Sequence, residues 1–248
     1  MTMAPEKYLE EVRKILDHLE KSQLPAIEQA ADLIAGALLN KGGVFCSAIG
    51  HGGDGDFCNR AGGLAAVQKF SFNLDISDKT PKILAERPRA ETFDRESETI
   101  RFAIKASNLR AGDIMLVSSV SGRTRAATEL ALACRALGIK TIGFTSMQYS
   151  ASVSALHPSG KKLHEAVDVV IDIGAPFGDA AVELPGFNGK VMPVSGVAMD
   201  VAGWLIFGRT MEKMAALGTP PTVFISANRP GGEEDYRLKT AQYEKRGF

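Results

Sequence analysis

No stretch of this chain is apolar for long enough to cross a bilayer. The most apolar run, VSGVAMDVAGWLIFG at 194–208, falls short of the roughly 20 residues a spanning helix needs and carries Asp200. Residues 1–21, MTMAPEKYLEEVRKILDHLEK, are charged throughout and have neither the apolar stretch nor the cleavage site of a signal peptide. Net charge is missing too: 29 Lys and Arg balance 29 Asp and Glu, so no bulk field draws the chain to nucleic acid or an anionic membrane. Cysteine is scarce and odd in number. Cys46, Cys58 and Cys134 lie in apolar or helical surroundings and match neither a disulfide framework nor a zinc site, which suits reduced thiols. These absences point to a soluble cytoplasmic protein without a membrane, nucleic-acid or metal partner.

What is present is alternation. Leu9, Val12, Leu16 and Leu19 recur at three- and four-residue steps among charges and predict an amphipathic helix. A second helix is predicted over 24–40, with Pro25 in its first turn and Gly42-Gly43 as its stop. VFCSAI then reads as a strand, HGGDG as a flexible turn, DFCNRAGGLAAVQKF as helical and KFSFNLDI as the next strand. Residues 77–97 are polar and contain proline, which predicts an irregular excursion. A helix over 94–108 leads to the strand DIMLVSS, and the helix after it buries Ala127, Leu130, Cys134 and Leu137 before Gly138 closes it. KTIGFTS and AVDVVIDIG complete the strands. A closing helix over 195–217 carries Val197, Val201, Trp204, Leu205 and Met211 near one face, and a tail from Thr219 begins as an edge strand and ends in a charged segment. This order predicts one α/β domain, 1–218, with a helical segment over 1–41 and an extension over 219–248. Its sheet is parallel and binds ligands outside the carboxyl ends of its strands.

The strongest chemical signal is SSVSGRT at 118–124. Ser118, Ser119, Ser121 and Thr124 offer hydroxyls at a strand end, Gly122 lets a ligand approach the backbone, and the helix starting there points free N–H groups the same way. Arg123 and Arg125 are available to an anion. Ser121 as a simple helix cap is the plainer reading, but four hydroxyls in seven residues exceed what capping needs and predict a phosphate site.

SSVSGRT also resembles the Ser-x-Ser-Gly-x-Thr signature of SIS (sugar isomerase) domains. NRAGGLA, HPSGKKL, GAPFGDAAVELPG and FISAN are similar to stand-alone bacterial SIS proteins described as phosphosugar-binding or phosphoheptose-isomerase-like, and the resemblance covers most of the chain. It implies a flavodoxin-like three-layer fold with a five-stranded parallel sheet preceded by two helices. It also implies a homodimer or homotetramer, and a sugar phosphate whose phosphate contacts Ser119, Ser121 and Thr124, with Gly122 and Arg123 assisting. That group carries Gly-His-Ser-His after its first strand. Here Gly50-His51-Gly52-Gly53 keeps only the first two positions, so a role needing two imidazoles is unavailable. His157, in LHPSGKKLHE, resembles a family-specific loop reaching a neighbouring subunit's site, whereas His164 reads as solvated.

An aldose–ketose isomerase moves a proton between adjacent carbons through an enediol and needs a base but no cofactor. Asp179 and Glu183 follow the last predicted strand at the same end of the sheet as the hydroxyl turn, and a carboxylate shielded from water acquires a suitable pKa. Glu183 is therefore the candidate base, with a salt bridge to Lys190 as its plainer role. Gly50 and His51 border the site, and His51 is assigned ring opening or the carbonyl oxygen. Ser195 either caps the closing helix or adds a ligand hydroxyl. A non-catalytic sugar-phosphate sensor is the alternative. A rival comes from Gly50 to Gly55, which reads G-x-G-x-x-G with Asp75 a further 20 residues on, as a dinucleotide site would. Against NAD, Asp54 would place a carboxylate where pyrophosphate sits, and the hydroxyl turn would have no purpose.

Overall fold

Two separate leading helices were expected, and one continuous helical rod is found. In the computed structural model, which describes residues 3–51, 53–88 and 93–248, α1 (Ala4–His18) passes through a π-helical turn at Leu19–Gln23 into α2 (Leu24–Leu39). Pro25 has no N–H to donate and its ring crowds the preceding turn, so the ladder widens there instead of breaking. Ile15 and Leu19 are the buried side chains of the first part, while Leu9 and Leu16 stay exposed.

The strands β1 (Val44–Gly50), β2 (Val67–Phe70), β3 (Ile114–Ser118), β4 (Lys140–Thr145) and β5 (Val169–Asp172) form one parallel sheet in the order β2-β1-β3-β4-β5. This is the flavodoxin-like arrangement, and its direction of travel reverses between β1 and β3. The loops leaving those two strands part to opposite faces and open a crevice at their carboxyl ends. The intervening helices are α3 (Asp54–Phe57), α4 (Lys82–Ala85), α5 (Arg95–Ala106), α6 (Arg125–Ala136), α7 (Met147–Ala151) and α8 (Leu163–Ala166). After β5 come a hairpin, β6 (Ala180–Glu183) with β7 (Lys190–Pro193), then α9 (Ser195–Ala216) and α10 (Gly232–Arg246).

The apolar run of β3 has a simple cause: both of its faces are covered. Ile114 and Leu116 point into a core shared with α2 and α9, and Met115 and Val117 into a second core shared with α5, α6 and α8. On α6, Ala127, Leu130 and Cys134 are fully buried as predicted, and Leu137 at its end is exposed.

Four local expectations change. The helix expected after HGGDG is only the single turn of α3, because Asn59 and Gly62 adopt left-handed backbone and the chain re-enters the sheet at Val67; β2 therefore ends at Phe70, and residues 71–81 have no regular structure. The stretch expected as a loop after the last strand folds into the β6–β7 hairpin, turned at Gly186 and Gly189 with positive φ. On α9 the packed face is centred on Ala198, Met199, Ala202, Ile206 and Phe207; of the expected face, Val201, Trp204 and Met211 pack half-buried against the core, while Val197 and Leu205 are exposed. Side-chain size decides this: small residues let α2 and α3 approach, and a Cβ at Gly203 would collide with the Phe57 ring. The tail makes one isolated bridge, Val223 to Leu64, and its charged end is α10.

Candidate functional site

The crevice is built by an unusually close approach of β1 to β3. Gly50 pairs with Ser118, has φ 97°, and a Cβ there would fall on the Ser118 carbonyl oxygen. The next residue, His51, donates its backbone N–H to Ser118 Oγ at 3.0 Å. The two strand ends are thereby stitched together; Gly52 lies outside the described residues.

On the β3 side, Ser119 N–H continues the ladder to the Phe144 carbonyl and the chain then turns sharply, with Gly122 N–H on the Ser119 carbonyl at 2.9 Å. Gly122 is buried at φ 64°, and a Cβ there would meet Thr145 Oγ1 at 2.8 Å and Ser150 Oγ at 3.0 Å. Ser119 and Thr124 hydroxyls touch at 3.0 Å across the turn. The N-cap of α6 is Thr124, not Ser121, and its side chain makes no capping bond. Since Thr128 N–H is the first to find a helical carbonyl, at Thr124, the amides of residues 125–127 point outward beside these hydroxyls. Two cations flank them. Arg125 is bound to Asp94 at 2.7 Å, and the Nε atoms of both Arg123 and Arg125 are buried without a partner among the described residues.

On the other side, three residues singled out separately in the sequence meet. Asp179, in left-handed backbone at φ 66°, accepts Ser195 N–H at 2.9 Å and Val194 N–H at 3.3 Å, and so caps α9, whose own N-cap residue Val194 provides no side-chain bond. Ser195 Oγ donates to Asp179 Oδ2 at 2.6 Å and lies 2.8 Å from His51 Nε2. His51 is exposed at the crevice.

Glu183 and His157 are not joined to this cluster. Glu183 is exposed at the far end of β6 opposite Lys190, about 10 Å along the strand from Ala180 at 3.3 Å per residue, on a surface shared with Lys7, Glu10 and Glu11 of α1. His157 is buried within its own chain, 2.8 Å from Glu129 Oε2 and 2.7 Å from Ser159 Oγ, on the α5 side of α6. Burial alone would raise the Glu129 carboxyl, but hydrogen bonds from Arg101 and His157 outweigh it and hold Glu129 below the usual carboxylate range. The loop bearing His157 still matters to the turn, because Leu156 and Leu163 N–H groups hold the Arg123 and Gly122 carbonyls from behind. His164 is half-buried against Ser150 rather than solvated. The glycine fingerprint fares differently: α3 is one turn long, Asp54 is tied to Lys69 at 2.7 Å, and Asp75 is exposed in irregular chain. A dinucleotide loop needs a long helix there.

One residue escaped the sequence reading. Asp200 on α9 has a buried Oδ1 with no partner among the described residues. Burial raises its carboxyl above the usual range, Asp56 adds to this, and Arg60 and His51 oppose it. The signal was its position as the single charge in VSGVAMDVAGWLIFG. The folded chain holds the Asp200 proton more tightly than the unfolded chain, so stability is lost as pH rises through the carboxylate range and the loss is complete above the folded pKa. Asp200→Asn is expected to raise Tm at about pH 7 and to lose that gain below about pH 3, where both states are protonated. A gain of equal size at both pH values, read by thermal denaturation, would rule out charge burial as the cause.

Three comparisons bear on this geometry. The profile of the SIS domain family matches residues 7–146. UPF0309 protein lin2794 of Listeria innocua is 30% identical over 242 residues, covering 96% of this chain and 95% of that relative, and UPF0309 protein BH3325 of Halalkalibacterium halodurans is 32% identical over 241 residues, covering 94% and 95%. A phosphoheptose isomerase structure from Neisseria gonorrhoeae superposes with a TM-score of 0.50 at 15% identity, over 84% of this chain and 95% of that one, which is a likeness of fold. No described helix is long and apolar enough to cross a membrane. With the profile matching more than half of its length and relatives aligned along nearly all of it, the chain belongs to the SIS domain family.

Proposed function

We propose that this protein binds a sugar phosphate, phosphate in the 119–124 turn, and interconverts its aldose and ketose forms through an enediol with His51 moving the proton. One observation carries the reading: a helix N-terminus without a side-chain cap, with the Ser119 and Thr124 hydroxyls beside it, follows the strand end that Ser118 ties to the backbone of His51. A phosphate there meets the amides of 125–127, the hydroxyls of Ser119, Ser121 and Thr124, and the Arg123 guanidinium. Buried donors without partners, such as the two arginine Nε atoms, are what an anion site contains before it is filled. Proton transfer goes to His51 in preference to Glu183 because His51 shares the crevice and Glu183 sits on the hairpin. Self-association belongs to the same reading, supported by the exposed Leu9 and Leu16 on α1.

Thermal shift against sugar phosphates, the matching free sugars and NAD tests the binding step. Stabilisation by a phosphorylated sugar alone is expected; stabilisation by NAD alone would overturn the assignment. Ser121→Ala is expected to weaken the best ligand by about 1 to 2 kcal/mol, the scale of one hydrogen bond to a charged group, or roughly 5- to 30-fold in Kd. Unchanged affinity removes Ser121 from the site. Incubation of that ligand with the protein then separates enzyme from sensor, since a sensor binds and converts nothing.

A further inference from the structure

His51, Ser195 and Asp179 are far apart in the chain, yet they form one hydrogen-bonded line whose proton count has a single solution. Asp179 takes three hydrogen bonds, from Val194 N–H, Ser195 N–H and the Ser195 hydroxyl, and so acts purely as an acceptor. A serine hydroxyl has one proton, and the 2.6 Å contact commits it to Asp179 Oδ2. Facing His51 Nε2 at 2.8 Å, the Ser195 oxygen therefore has only lone pairs to offer, and Nε2 must carry the hydrogen. Ser195 is fully buried and opens α9, Asp179 is tied to the same helix end, and His51 is tethered through its own N–H to Ser118, so all three are held by backbone as well as by side chains.

We infer that Asp179 and Ser195 are positioning residues that lock His51 in the Nε2–H form and present its Nδ1 lone pair to the ligand. The geometry stands without the sugar-phosphate reading; the catalytic use rests on it. In that use Nδ1 takes the proton from C2 of the open aldose phosphate, the C–H electron pair becomes the C1=C2 bond of the enediol, and the O2 proton passes to O1. As the C1=C2 bond forms, the C1 carbonyl pair moves to O1 and binds that proton; the pair left on O2 then forms the C2 carbonyl while the C1=C2 pair takes the proton from Nδ1 at C1, which restores the Nδ1 lone pair. No co-reactant is required, because the ketose has the same atoms as the aldose. Ser195 and Asp179 touch no reacting atom and act by fixing which nitrogen is free.

The test reads the imidazole directly, with the ligand-free full chain labelled with 15N-histidine and His51→Gln used to assign the resonance, above about pH 8 where an imidazole is neutral. In the wild type, His51 is expected to show a protonated Nε2 with an exchange-protected hydrogen and a bare Nδ1. Asp179→Asn keeps the size and the left-handed backbone, but its NH2 now points at the Ser195 oxygen and turns the hydroxyl proton toward His51 Nε2. The nitrogen shifts should then exchange, with the hydrogen moving to Nδ1. Ser195→Ala should lose the protected hydrogen while the melting curve shows the fold intact. A wild type without the protected Nε2 hydrogen, or an Asp179→Asn spectrum with unchanged nitrogens, overturns the inference. With a converted sugar phosphate in hand, Asp179→Asn should lower kcat about 10- to 100-fold with KM held, part of the 10²–10⁴ that acid–base catalysis supplies. If the spectra behave as expected and no sugar phosphate binds, the relay stands and the functional reading fails.

Discussion

His51→Gln is expected to lower kcat by roughly 10²- to 10⁴-fold, the range set by one general acid–base group, while Kd for the sugar phosphate stays within about threefold. The separation follows from how the crevice is made. Phosphate contacts come from the turn after β3 and from α6, whereas the imidazole comes from the turn after β1. What ties His51 to β3 is its backbone N–H on Ser118 Oγ, and that bond survives the change of side chain to glutamine. Glutamine is close in size and its amide can still donate to Ser195, so the crevice keeps its shape and loses only a titratable nitrogen. Isothermal titration and steady-state rates on the same preparation measure both quantities. A rate unchanged from the wild type would take the base role away from His51.

How much of this was legible beforehand depends on whether the cause was local. The turn after β3 was readable because one short segment contains everything that makes it: an apolar strand buried on both faces, a glycine at positive φ and a helix start. Alternation of strand and helix gave the parallel sheet for the same reason, since each crossover is set by its own segment. The line from Asp179 through Ser195 to His51 was not readable. Each residue was marked, but 144 positions separate His51 from Ser195, and only the return of α9 across the sheet end brings them together. Glu183 illustrates the opposite error of scale: four residues past Asp179 looks close in sequence, yet the extended strand that starts at Ala180 carries it about 10 Å along the hairpin. The hairpin itself was hidden by its two four-residue strands, framed by glycines and prolines that read as loop. On α9 hydropathy found only the flank of the packed face, Val201, Trp204 and Met211, because alanine and glycine lie where the neighbours come closest.

The same closeness makes Gly50→Ala a damaging substitution. Left-handed backbone costs a residue with a Cβ about 1 to 2 kcal/mol. The new methyl would also occupy the place of the Ser118 carbonyl oxygen, a backbone atom that no rotamer can move aside, so β1 and β3 must separate. Forced repacking of that kind costs a further 1 to 3 kcal/mol or so. Together about 2 to 5 kcal/mol is lost from a typical total of 5 to 15, which in a chain of this size lowers Tm by roughly 4 to 20 °C. Gly208→Ala is the matching control: Gly208 is exposed in α9 with nothing within 4 Å of a built Cβ, so alanine there should stabilise by about 0.5 to 1 kcal/mol through backbone entropy and helix propensity. Urea denaturation of the two variants beside the wild type gives both signs in one experiment. Any Gly50→Ala protein that folds should convert sugar phosphate poorly while still binding it, because spreading the strands moves His51 away from Ser118 and from the turn that follows it. A Gly50→Ala protein as stable as the wild type would mean that the two strand ends yield easily, and the rigid presentation of His51 would then have to come from Ser195 and Asp179 alone.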